Sequence, residues 1–293
     1  MQKILFNKII ENISYGQKEK IDFDYGKYLG YIEEIKHKIN YNEKIYIENE
    51  TNFDLAEISI LFWGLLALYT GKIKNDEKIG IILQSLSTQI SNNILTLVIL
   101  CNESLDFQCG LIMCSTIELC FTLLVLLLNN DKREKFFDAI KNNNESYTWY
   151  KEFRLKDIIK ELEKHEKVIF NDDLSIEKEI NSNRKAIYEY YSKYTHNTFF
   201  MCYSNSYTMP KNVESSDEML QYNLWGIYSS RVRKFLDEVN QLSFITILEF
   251  INFFAVEDYI NDEMSELWCD ISIFYLMYKE LYLKHTKDQE NNN

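Results

Sequence analysis

Proline occurs once and glycine eight times in 293 residues, so the chain has almost none of the residues that tight hairpins and sharp connections require. No CxxC pair stands among Cys101, Cys109, Cys114, Cys120, Cys202 and Cys269, and no histidine lies at zinc-finger spacing from them, so no structural metal site is expected. A P-loop, a GxGxxG dinucleotide motif, HExxH, a nucleophile elbow and a calcium loop are also missing. The common signatures of phosphate, metal and acyl-transfer chemistry go with them, and no cofactor is expected. Basic charge is short as well: 32 Lys and Arg against 45 Asp and Glu give a net charge of −13, which opposes a broad attraction to nucleic-acid phosphate. RNA contact would rest on a local patch. The nearest is Arg231, Arg233 and Lys234, on a helix that also carries Asp237 and Glu238 and so reads as an ordinary solvated face.

What the chain has is apolar and aromatic material. Hydrophobic residues make up 46% of it, with 21 tyrosines and 18 phenylalanines, enough for a large core. With turn residues scarce, that composition predicts an all-α fold. Lys outnumbers Arg, and Asn, Ile, Tyr and Glu are heavily used, the pattern of an AT-rich, bacterial genome. Four of the six cysteines lie in apolar helical stretches, as buried, reduced thiols of a cytoplasmic protein would. Met1 to Ile10 carries no long apolar run and no cleavage site, so no export signal is read there.

Apolar periodicity predicts helices over Phe23–Ile39, Leu55–Tyr69, Glu77–Glu103, Leu105–Leu128, Arg133–Ile140, Tyr147–Val168, Glu177–Thr198, Asp217–Gln241, Leu242–Ala255 and Asp258–His285. A multi-helix bundle of roughly nine helices fits the whole pattern. Asp54 reads as the N-cap of the Leu55 helix, and Tyr41–Asn52 before it as a loop or a short strand. One domain over residues 1–293 is expected, with a subdivision near 141–146, where three asparagines run together, and a frayed tail over 286–293. Leu111–Leu128 has the length of a membrane span, but Glu118 stands near its middle beside Ser115, Thr116 and Thr122. A core helix is therefore expected, with no membrane contact.

The segment Arg184–Asn197, reading RKAIYEYYSKYTHN, is the one stretch that looks more than architectural. At about 100° per residue, Glu189 and Lys185 fall on nearly the same helix face as His196, while Arg184 lies about 120° away and would meet His196 through a bend or from a second subunit. The catalytic candidates are His196 as acid or base, Glu189 as its support and Arg184. A histidine at a helix C-terminus is more simply explained by the helix dipole and the unpaired carbonyls there. Glu118, a carboxylate in the most apolar helix, needs a partner; Lys185, Arg184 and His196 are candidates, and the alternative is an outlet to solvent at the helix edge. Glu118 and Lys185 are thus expected as buried polar groups. The polar stretch Met201–Ser216 reads as an exposed loop, where Tyr203 and Tyr207 could close on a ligand.

Two segments together resemble uncharacterised bacterial proteins of the HEPN (higher eukaryotes and prokaryotes nucleotide-binding) superfamily. One is Gly110–Asp131, with Ile117, Glu118 and Leu119 in an apolar helix ending in NND and followed by a charged start and Phe136. The other is Ile187–His196, IYEYYSKYTH, and the likeness covers residues 80–205. It implies an antiparallel helical core, a homodimer or a protein partner, and a place in phage-defence or toxin–antitoxin systems. Active members are metal-independent ribonucleases with an arginine shortly before a histidine, the RxxxxH pattern. No arginine stands at that distance before His37, His165, His196 or His285, so the resemblance implies a non-catalytic or degenerate module. An RNA-cleaving toxin using His196, with Arg184 contributed across a dimer, and a helical small-molecule sensor are the alternatives.

Overall fold

The computed structural model describes residues 2–16, 23–70, 77–144, 148, 151–169, 174–195, 207–208, 221–222, 231–257 and 262–291. The described residues form ten helices and one two-residue ladder. The helices are α1 (Gln2–Gly16), α2 (Tyr25–Ile39), α3 (Glu43–Tyr69), α4 (Glu77–Asn102), α5 (Asp106–Leu128), α6 (Asn130–Lys141), α7 (Leu155–Ile169), α8 (Leu174–Thr195), α9 (Arg231–Glu257) and α10 (Asp262–Asn291). The ladder pairs β1 (Tyr207–Thr208) with β2 (Gln221–Tyr222) in antiparallel register, Tyr207 opposite Tyr222. The expected all-α bundle is what the chain adopts.

Helix α5 is the hub, packing against α4, α7, α8 and α9, while α3 packs on α4, α9 and α10. One hydrophobic cluster runs from Phe6 to Leu281, with Phe136 and Phe137 of α6 packed against its edge. The two most apolar helices, α3 and α5, are long enough to cross a membrane, and 78% and 67% of their apolar stretches are buried among the other helices. At the α5–α8 contact Gly110 is required: a Cβ there would come within 2.1 Å of the buried Tyr194 ring.

Caps explain where the helices begin and end. Asp24 accepts from the Lys27 N–H at 2.8 Å to open α2, and Asn40, at φ 51°, closes it in the left-handed region that asparagine tolerates. Asn129 ends α5 and opens α6, accepting from the Lys132 N–H at 2.9 Å. Arg133 reaches back from α6 and donates through Nη1 to the carbonyls of Leu126 at 2.9 Å and Leu127 at 3.1 Å, satisfying the otherwise unpaired end of α5.

Four expectations need correction. Tyr41–Asn52 is largely helix: Asn42, not Asp54, caps α3, which runs through a kink at Asn49 (φ −129°, ψ 21°). The kink sets the two halves of α3 at different phases, and that hid the first half from the periodicity. The break expected at Gln241–Leu242 does not occur, because α9 is continuous; Gln221 and Tyr222, expected in helix, are extended. The chain beyond His285 stays helical to Asn291.

Candidate functional site

Arg184 points into the bundle. Its Nη2 donates to Glu249 Oε1 of α9 at 2.7 Å and lies in closer contact with Glu166 Oε1 of α7, and its guanidinium stacks 5.2 Å above the Phe121 ring. All three charged side chains are 3% exposed or less. Two carboxyls crowd one guanidinium nitrogen. Burial first, and then the hydrogen-bonded Glu166 carboxyl, push Glu249 up to about 8 against the pull of Arg184. Glu249 therefore tends to keep its proton at neutral pH. Arg184 cannot extend across a dimer, since its guanidinium is enclosed within its own chain.

The other residues of that helix separate. Lys185 is not buried: its side chain is 53% exposed and pairs with Glu163 of α7 at 2.6 Å. Glu189 is exposed. His196 and Tyr203 lie outside the described residues, as does the side chain of Tyr207, whose backbone sits in the ladder. Glu118 lies next to α8, but Arg184 pairs with Glu166 and Glu249 and Lys185 with Glu163, while His196, the third expected partner, lies outside the described residues. It is half-buried beside Tyr188, and burial raises its pKa.

A denser polar cluster lies apart from Arg184, on α2, α3 and the turn between them. Tyr41 donates to Glu57 Oε1 at 2.7 Å; Lys36 Nζ stands 3.7 Å from Glu57 Oε2 and donates to the Tyr46 hydroxyl at 2.9 Å. Asp54 Oδ1 accepts from the Tyr46 hydroxyl at 3.1 Å and from Lys36 at 3.5 Å, and Oδ2 accepts from Gln2 Nε2 at 2.8 Å. Burial raises Glu57 to about 7, with Lys36 and the Tyr41 hydroxyl pulling the other way. For Lys36 burial acts downward, but the Tyr46 hydroxyl, Glu57 and Asp54 outweigh it and its pKa rises. Asp54 also forms one wall of a cleft of about 400 Å³ between α1, α2, α3 and α10, in which Lys3, Tyr25, Glu50, Lys284 and Asp288 face one another. That volume suits a small molecule.

Sequence reasoning missed this cluster. Its signal was the helical spacing of Tyr46, Glu50, Asp54 and Glu57, which share one face once Tyr41–Asn52 is read as helix.

No group of three or more metal-ligating side chains occurs among the described residues. Three thiols are insulated: burial raises Cys101 well above the ordinary range, Cys114 to about 11 and Cys120 to about 12, so none of these three is a thiolate nucleophile near neutrality. What remains is a cleft with charges of both signs, suited to holding a polar molecule. No protein-family model, curated protein or solved structure matches the chain.

Proposed function

We propose that this protein is a non-catalytic helical binding module of the HEPN-like type, acting through a protein partner or a second copy of itself in the cytoplasm of a bacterium, within a defence or toxin–antitoxin system. The observation that carries the reading is the enclosure of Arg184 by Glu166 and Glu249. A metal-independent ribonuclease needs a cation beside its histidine to stabilise charge on the scissile phosphate. Arg184, the arginine nearest His196 in sequence, is committed to the interior.

The test is induced expression in a bacterial host, with growth and total RNA followed over time. Wild type and His196→Ala are expected to be equally harmless and to leave RNA intact. Growth arrest that His196→Ala relieves would establish the RNA-cleaving toxin instead.

The cleft favours a second reading, a small-molecule sensor, relocated from the Tyr203 and Tyr207 loop to the space beside Asp54. Its check is thermal stability against a panel of nucleotides and amino acids. A ligand at 100 times its Kd adds about 2.7 kcal/mol, and a flat panel would remove this reading.

A further inference from the structure

Glu118 lines a separate cavity of about 270 Å³, bounded by α5, by α8 and by the segment leading into α7. The space is far more than the roughly 10–15 Å³ that one water needs. Its walls are unlike those of the Asp54 cleft: Phe153, Leu155 and Ile158 make an apolar floor, Tyr188 lies opposite, and Glu118 and Thr122 stand one helical turn apart on α5.

Thr122 is the second, independent observation. It is 1% exposed, and its hydroxyl has no hydrogen-bond partner. Other helical threonines here bond back to the carbonyl four residues earlier, as Thr96 does to Asn92 at 2.8 Å, Thr116 to Ile112 at 2.8 Å and Thr246 to Leu242 at 2.7 Å. Thr122 forgoes that bond. A helical threonine has two usable χ1 settings, and turning between them exchanges methyl and hydroxyl, so the oxygen can be presented to an occupant of the cavity. Glu118 forms no ion pair among the described residues, and burial alone moves its pKa, upward. A half-buried carboxylate and an unused hydroxyl beside aromatic and aliphatic surface are the groups that recognise an ammonium on an apolar body.

We propose that this cavity binds a small primary monoamine, its ammonium held by the Glu118 carboxylate and the Thr122 hydroxyl and its apolar body lying against Phe153 and Ile158. Glu118 is the single acidic group among the described residues of the lining, so the second ammonium of a polyamine finds no partner there and a monoamine is preferred. This site is distinct from the Asp54 cleft and does not depend on the function proposed above.

Calorimetric titration of the full chain with benzylamine tests it, with benzyl alcohol and spermidine as comparisons. Benzylamine is expected to bind at millimolar concentration or below, benzyl alcohol not at all, and spermidine more weakly than benzylamine. Glu118→Gln should weaken benzylamine about tenfold or more, and Thr122→Val severalfold. Glu118→Gln removes a half-buried charge and is expected to fold. As a measurement that needs no variant, the Ile158 methyl resonance of the wild-type protein should shift on adding benzylamine. A null titration, an affinity indifferent to Glu118→Gln, a preference for spermidine, or a stationary Ile158 methyl would each overturn the proposal.

Discussion

Arg184 shares one nitrogen between two glutamates, and such a group is costly to disturb. Replacing it with methionine leaves two buried carboxyls without their cation, and about 3–5 kcal/mol of stability should be lost in urea melts. Adding Glu249→Gln in the same chain removes one of the two crowded carboxyls and should recover part of the loss; no recovery would mean that the ion pairs are not what the substitution removed. The same carboxyls set the pH dependence. Glu249 and Glu57 are raised in the folded chain to about 8 and about 7, from an unfolded value near 4.5. A carboxyl that binds its proton more tightly when folded stabilises fully below its unfolded pKa, and that stabilisation drains away as pH rises through the interval to the folded pKa. Melting temperature should therefore fall between pH 5 and pH 8, by a few kcal/mol of stability in all, and Glu249→Gln should flatten the decline. Glu161 acts in the opposite sense: although burial works upward, Lys164 and Asn129 hold its pKa below the usual range, and its contribution is lost only in more acid solution. A melting temperature that climbs from pH 5 to pH 8 would contradict the buried proton.

At the scale of elements, α5 meets α6 and α8 in close contacts that a single substitution can disturb. Gly110→Ala drives a methyl into the Tyr194 ring and should cost about 1–3 kcal/mol, measured by chemical denaturation. Arg133→Met strips the donors from the α5 carbonyls and should cost about 1–3 kcal/mol by the same measurement. Most of the elements were legible from sequence, because long apolar periodicity survives wherever a helix has one dry face. The second half of α3, α4, α5 and α8 are such cases, placed to within a few residues. The first half of α3 was not, because the kink at Asn49 interrupts the phase and polar residues there read as a loop. The candidate site fared worse for the same reason. Asp54 was taken for a cap, and the face it shares with Tyr46, Glu50 and Glu57 exists only when the helix begins at Glu43. Glu118 was legible as an oddity by composition alone. Arg184 and Lys185 are adjacent on α8 and project about 100° apart, so the first enters the core beside α7 and α9 while the second faces solvent.

For the molecule as a whole, the chain spends its interior charges on joining helices. Arg184 ties α8 to α7 and α9, Lys36 ties α2 to α3, and Arg133 ties α6 to α5. Thiol chemistry follows the same logic: Cys101, Cys109, Cys114 and Cys120 are buried, so a disulfide reagent should leave them unmodified in the native state at pH 8 and modify all four in urea. Rapid native modification would show that the α4–α5–α9 core opens. The central claim is that the arginine nearest His196 belongs to the architecture and not to a nucleic-acid site. Side-chain NMR of the arginine guanidinium groups, recorded at pH 8 with and without a short RNA, tests it most directly. Arg184 should give slowly exchanging NηH signals that RNA leaves in place; rapid exchange with solvent, or a shift of those signals on adding RNA, would contradict the account.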